Sequence, residues 1–381
     1  VTGRGEAPVY AVFVSPHGFG HAARASAVME ALRERTSARF ELFATTPRWF
    51  FDETIPGAYT LHPVVTDVGL RQRSALEFDL EATVEALDRF LPFEEERVEE
   101  LAARVRDAGA RAVLCDISPL GIAVAERAGL PSLLVENFTW PWLYEPLVAR
   151  APRLAGHAEV LEAWIGRVTA RVQTEPLCRR VPEADAVVPP IGRTARRSRA
   201  RAREELGVGG EGPLVVLTMG GVSEPLPFLE RLKTLPEIHF LVTGVDGSRR
   251  EGNLHLFDNG SRIYLPDFIR AADAVVAKLG YSTVAEVWNE GAPLAFVTRG
   301  DFRETGPVRR WVEENLSAFE IAGRDFASGD WIGRVPELLE MAGARGRIGE
   351  AGTGRVRPAE EVARRLEALG TAGATPPAPP G

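Results

Sequence analysis

The sequence predicts an α/β protein built from two parallel-sheet domains, and three observations predict it. Short runs rich in Val, Leu and Phe alternate with stretches of helical periodicity along most of the chain. Near residue 190 this alternation stops at Pro189-Pro190 and an arginine-rich stretch, and then it begins again. The chain has 381 residues, too many for one core and the right number for two ordinary domains. The expected division is an N-terminal domain over 1–190, a C-terminal domain over 191–370, and a disordered Pro-rich tail over 371–381.

Taken in order, residues 9–14 are a β-rich run ended by Pro16 and a glycine turn. Ala25, Val28, Met29 and Leu32 then fall on one helical face. Residues 40–44 read as the second strand. A helix beginning near Glu94 carries Glu95 and Glu96 in its first turn and Arg104 and Arg106 near its end, the charge order that suits a helix dipole. Strands at 112–115 and 132–135 flank a helix that runs through Ala128. Beyond the break, strands at 214–217, 239–242, 274–277 and 293–297 repeat the pattern, each followed by a glycine-containing or polar loop. Strands alternating with helices mean parallel sheets with helices on their faces. The arginines between them, Arg193, Arg196, Arg197, Arg199, Arg201 and Arg203, read as a solvated connection.

Composition excludes several classes of function. Apolar residues make up 45% and charged residues 26%, values of a globular protein. A formal charge of −8 argues against a protein that coats nucleic acid, so no nucleic-acid partner is expected. Cys115 and Cys178 make no disulfide framework and have no metal-ligating neighbours at close spacing. No apolar run is long enough to span a membrane, and no basic-then-apolar leader is present, so a cytoplasmic location is expected.

In parallel sheets ligands collect beyond the carboxyl ends of strands, where helix N-termini offer amides. The first such loop is Ser15-Pro-His17-Gly18-Phe-Gly20-His21-Ala-Ala-Arg24. Gly18-x-Gly20-x-x-Ala23 satisfies a dinucleotide fingerprint, but the acidic residue that would close the second strand is missing and Glu41 lies inside that strand. His21, on the first helical turn, is placed to act as a general base, with Asp116 at a later strand end as its orienting partner. The alternative is that both residues cap helices. His17 and His21 have the spacing of metal ligands, yet no third ligand accompanies them, so no metal is expected.

The second constellation is Lys278-Leu-Gly280-Tyr281-Ser282-Thr283-Val-Ala-Glu286. A glycine turn, hydroxyls, a helix N-terminus and a lysine together suit a diphosphate, and Glu286 could accept ribose hydroxyls. The alternative is an ordinary helix capped by Ser282. The sequence has no Asp-x-Asp pair and no P-loop, which removes the usual metal-chelated nucleotide-sugar site and the kinase reading. Phe138, Trp140, Trp142 and Tyr144, just past a strand end, either line an acceptor pocket or pack the core.

These segments resemble the GT-B glycosyltransferases, nucleotide-sugar-dependent enzymes with two facing Rossmann-like domains and an interdomain cleft. The resemblance makes Gly20-His21 the catalytic pair and Asp116 its partner. It makes Lys278 through Glu286 a donor box in which Lys278 replaces a phosphate-binding histidine. Tyr264-Leu-Pro266-Asp267 resembles the stretch facing the nucleobase, and Asp301 through Glu304 the loop meeting the donor sugar. A closer similarity is to the glycosyltransferase-like N-terminal region of L-arabinokinases and bacterial relatives, carried by His17–Arg24, Glu136-Asn-Phe-Thr-Trp140 and Lys278–Glu286. The chain shows no counterpart of the kinase half, so sugar kinase activity is not expected.

The resemblance implies a metal-independent, inverting hexosyl or pentosyl transferase. Its co-substrate would be a nucleotide diphosphate sugar, UDP-linked first, and it would need no other cofactor. His21 and Asp116 would be catalytic. Gly18, Gly20, Gly220, Gly221, Tyr264, Pro266, Lys278, Gly280, Tyr281, Ser282, Thr283, Glu286, Asp301 and Glu304 would serve the donor. His17, Phe138, Trp140 and Trp142 would serve a small-molecule or glycan acceptor. A non-catalytic nucleotide-sugar-binding protein and a NAD-dependent enzyme are the two alternatives, and Arg24 on a phosphate would fit either.

Overall fold

The structure, a computed structural model, describes residues 7–73, 77–208, 212–220, 225–261, 263–298, 300, 302–344 and 357–372. Gly221, Asp301 and residues 373–381 of the expected tail lie outside the described residues, while residues 371 and 372, expected disordered, end a helix. The described residues form two compact units. One holds 7–71, 79–191 and 357–372; the other holds 72–73, 77–78 and the described residues between 192 and 344.

Of β1 (Val9–Val14), β2 (Arg39–Phe43), β3 (Tyr59–His62) and a short ribbon of β4 (Arg71–Gln72) with β5 (Phe78–Asp79), only the ribbon's Gln72 and Phe78 belong to the second unit, and β1, β2 and β3 begin the sheet of the first. β6 (Ala110–Asp116), β7 (Ser132–Glu136), β8 (Ala170–Thr174) and β9 (Ala186–Val188) complete it. Its sheet runs β3-β2-β1-β6-β7-β8-β9 with every neighbouring pair parallel. Alternate residues of β1 enter opposite layers. Tyr10, Val12 and Val14 meet Val28, Met29 and Leu32, while Ala11 and Phe13 meet Leu101, Val105 and Val124. A strand buried on both faces reads as a continuous apolar run, which is why β1 was legible. The strand order reverses between β1 and β6, where Val14 stands beside Asp116.

The second unit contains β10 (Leu214–Thr218), β11 (His239–Thr243), β12 (Arg249–Glu251), β13 (Leu254–Phe257), β14 (Ala274–Lys278), β15 (Leu294–Val297) and β16 (Ala318–Ile321). They run β12-β13-β11-β10-β14-β15-β16, parallel except for β12 against β13. Here the order reverses between β10 and β14. Both reversal points carry the glycine loops singled out in the sequence, which is where open α/β sheets bind ligands.

The structure corrects the expected domain 191–370 in one respect. Helix Pro358–Ala372 packs in the first unit, on helix Phe19–Thr36 and β6. Its apolar face, Ala359, Val362, Ala363 and Leu366, joins the core of β1 and β2. Gly370 lies so close to Tyr10 that an added methyl group would sit 3.0 Å from its ring. An amphipathic helix announces that it needs a core, but not which core.

Candidate functional site

In the first unit, His21 and Arg24 face the same way because they are three residues apart at the start of helix Phe19–Thr36. Asp116 ends β6 beside them. His21 Nδ1 lies 2.8 Å from Asp116 Oδ1, and the two residues are 8% and 1% exposed. A carboxylate only accepts, so this contact puts an imidazole proton on Nδ1, and in the neutral ring the lone pair is then on Nε2. Arg24 donates from Nη2 to Asp116 Oδ1 at 2.6 Å and from Nε to Oδ2 at 2.7 Å. Burial pushes the Asp116 carboxyl up, but the Arg24 charge and hydrogen bonds and the His21 contact outweigh it and hold the group below the ordinary carboxylate range. Arg24 continues to Asn137 Oδ1, and Asn137 Nδ2 donates to the carbonyls of Thr174 and Pro176 at 2.6 and 3.2 Å.

This network settles three sequence readings. Gly18, at φ 79°, is the N-cap of the first helix, so His21 does not cap it. Ser118, rather than Asp116, caps the next helix, its Oγ accepting from Gly121. Arg24 is buried in ion pairs with Asp116 rather than presented to a phosphate. The signal for Arg24 was its i, i+3 spacing from His21; Asn137 had none beyond its place after a strand.

The aromatic residues pack beneath the histidines. His17 meets Trp140 edge-on at 5.1 Å, Trp140 meets Phe138 at 5.1 Å, and Phe138 meets His21 at 6.3 Å between ring centres. Phe138, Trp140 and Tyr144 are buried, while Trp142 is half-buried. Asp67, which no sequence pattern marked, accepts a hydrogen bond from the Trp140 indole and another from the Val68 amide at 2.8 Å. Complete burial pushes its carboxyl up to about 7. Gly69 at φ 63° is required here, because a methyl group on it would lie 2.9 Å from both His17 and Trp140.

In the second unit, Lys278 ends β14, and its Nζ would be 3.5 Å from a methyl group placed on Gly220, the loop glycine after β10. The two phosphate candidates are thus brought together across the strand-order reversal. Helix Tyr281–Glu290 begins at Gly280, which is extended and supplies no side-chain cap, so Ser282 is not the cap. Thr283 and Glu286 are buried, Tyr281 and Ser282 half-buried. Tyr264 precedes helix Leu265–Ala271, in whose first turn Pro266 is buried, and its hydroxyl donates to the Thr194 carbonyl at 3.0 Å. Glu304 stands at the start of helix Thr305–Asn315.

The arginine segment is solvated only in part: Arg196, Arg197 and Arg201 are exposed and Arg199 is half-buried, but two of the six arginines are buried. Arg193 is buried and its Nε donates to Glu286 Oε1 at 2.9 Å. Arg203, also buried, donates to the carbonyls of Ala271 and Gly212 and contacts Asp273. No group of three metal-ligating side chains occurs among the described residues, and no described helix is long and apolar enough to cross a membrane.

No family model matches the chain. The L-arabinokinase of Arabidopsis thaliana is 27% identical over 343 residues, covering 87% of this chain and 32% of that protein. The chain therefore spans about a third of the length of this curated relative. A solved structure of the glycotransferase of kitacinnamycin aligns with 96% of this chain and 100% of its own, at TM-score 0.61 and 18% identity. The glycosyltransferase VinC, solved with dTDP, aligns over the same shares at TM-score 0.62 and 15% identity. UGT2 of Phytolacca americana, solved with UDP-2-fluoroglucose and pterostilbene, does so at TM-score 0.60 and 14% identity. With its two parallel-sheet α/β units, the chain has the fold of the GT-B glycosyltransferases.

Proposed function

We propose that this protein transfers a sugar from a nucleotide diphosphate sugar to an acceptor hydroxyl, with inversion at the anomeric carbon. The observation that carries the reading is the buried His21–Asp116 pair at the strand-order reversal of the first sheet, within a fold shared with glycosyltransferases. His21 Nε2 takes the acceptor proton while Asp116 holds Nδ1–H and stabilises the imidazolium. The acceptor oxygen bonds to the anomeric carbon as the bond from that carbon to the β-phosphate oxygen breaks. Charge then builds on the departing nucleoside diphosphate. Lys278, the Gly220 loop and the N-terminus of helix Tyr281–Glu290 lie together to meet it, and in this reading no metal ion takes part. Glu286 receives the ribose, and UDP is the nucleotide expected first.

His21→Ala is expected to lower turnover by about 10²–10⁴ while leaving nucleotide affinity within about twofold. Calorimetric titration with UDP, GDP, dTDP, ADP and NAD, paired with product assays on sugar donors, checks both halves. Stabilisation by one nucleoside diphosphate that disappears in Glu286→Ala supports the donor site. Binding of NAD alone, unchanged in Glu286→Ala, would overturn it.

A further inference from the structure

We propose that Arg193 is a positioning residue of the nucleotide site: it holds one oxygen of Glu286 so that the other faces the ribose diol of a ribonucleoside diphosphate. This rests on the reading of Glu286 as a donor-binding residue.

The residues involved are drawn together by close packing. Gly192 approaches helix Tyr281–Glu290 so nearly that a methyl group on it would lie 3.0 Å from the Glu286 amide nitrogen. That approach carries Arg193, 5% exposed, onto Glu286, 2% exposed. The segment is pinned again on helix Leu265–Ala271, where Asp267 Oδ1 accepts from the amides of Arg196 and Arg197 at 2.6 and 3.0 Å. The Arg193 guanidinium also lies 5.2 Å from the ring centre of Tyr264, with that of Arg196 at 4.7 Å. Arg193 thereby joins the residue assigned to the ribose to the residue assigned to the base.

The chemistry follows from which atoms are used. Burial pushes the Glu286 carboxyl up, Arg193 opposes this, and Glu290 adds to the rise. Arg193 occupies Oε1, and among the described residues no hydrogen-bond donor reaches Oε2. A carboxylate held by one oxygen cannot rotate without losing its only cation, so Oε2 keeps one direction. An acceptor-only oxygen selects a ligand that donates; a ribose diol offers two hydroxyls, and a 2′-deoxyribose loses the 2′ donor and keeps only the 3′ one.

The test is calorimetric titration of the full chain with UDP, GDP and ADP, each against its 2′-deoxy counterpart. The wild-type protein is expected to prefer the ribonucleotide by about tenfold or more. Arg193→Met should abolish that preference while 2′-deoxy affinity stays within about twofold, and Arg193→Lys should restore part of it. Because Arg193→Met strands a buried carboxylate and can fail to fold, Glu286→Leu is compared with Arg193→Met/Glu286→Leu. The two should show the same ratio of ribonucleotide to 2′-deoxynucleotide affinity, since Arg193 sets that preference through Glu286, whatever its contact with Tyr264 adds to both. A full ribose preference in Arg193→Met, equal weakening of both nucleotides there, or a double variant whose ribose preference differs from that of Glu286→Leu overturns the proposal. Wild-type binding that Glu286→Leu leaves unchanged instead overturns the reading of Glu286 itself.

Discussion

Asp67 and Asp116 are both buried carboxylates of the first unit, and they differ in what surrounds them. Asp116 has the Arg24 cation and His21, so it stays ionised. Asp67 has only neutral donors, the Val68 amide and the Trp140 indole among them, and burial raises it from 3.8 to about 7. A carboxyl raised on folding adds stability below its unfolded value, and loses it as pH climbs toward the folded one. Stability should therefore fall between about pH 4 and 7 through this residue, by up to about 4 kcal/mol at 1.36 kcal/mol per unit. Asp67→Asn should flatten that slope in urea denaturation curves across the same range; an unchanged slope would contradict the environment described. Asp116 was legible because it ends a strand on a predictable edge. Asp67 was not, because it sits in a loop whose burial depends on Trp140, 73 positions away. Arg193 was misread for the same reason: a run of arginines looks solvated until a partner 93 positions away is found.

Among the helices, the N-termini differ in whether a side chain satisfies the first-turn amides. Helices Leu80–Phe90 and Pro119–Ala128 are capped by Asp79 and Ser118 side chains. Helices Phe19–Thr36 and Tyr281–Glu290 begin at Gly18 and Gly280 with no side-chain cap, and these two stand at the strand-order reversals. A cap satisfies the amides that an anion would otherwise use. Gly280 has φ −145°, which any residue adopts, and an added methyl group would lie 3.9 Å from its nearest neighbour. Gly280→Asp should thus raise stability by about 0.5–1 kcal/mol and weaken nucleoside diphosphate binding through occupied amides and like charge. Thermal melting and titration on the same preparation read both effects. A gain in stability with undiminished binding would remove the helix end from the donor site. Sequence reasoning offered a Ser282 cap as the alternative to a diphosphate site, because serine is a common cap. What decides the matter is that β14 ends at Lys278 and leaves only Leu279 and Gly280 to make the turn.

On the scale of the whole molecule, the parallel sheets were written in the alternation of apolar runs and helical stretches, and the glycine loops marked strand ends, but the strand order and its reversals came only with the structure. So did the location of helix Pro358–Ala372, since its heptad-like face matches any parallel-sheet layer. Leu366 is buried among residues of the first unit. Leu366→Ala should cost about 2–5 kcal/mol. Hydrogen exchange should show lost protection in β1, β6 and helix Phe19–Thr36, with β10 and β14 unaffected. Loss confined to the second unit would contradict the packing seen here.

The docking of that helix also sets a timetable for biosynthesis. A ribosome has finished residue 191 long before it reaches residue 358, and at about 5–20 residues per second the interval is roughly ten to thirty seconds. During it the first sheet has one layer incomplete where Val362 and Leu366 will lie. The second unit, whose described strands are contiguous in sequence from β10 to β16, needs no such late arrival. The half of the protein that is translated second is thus expected to be the half that finishes folding first.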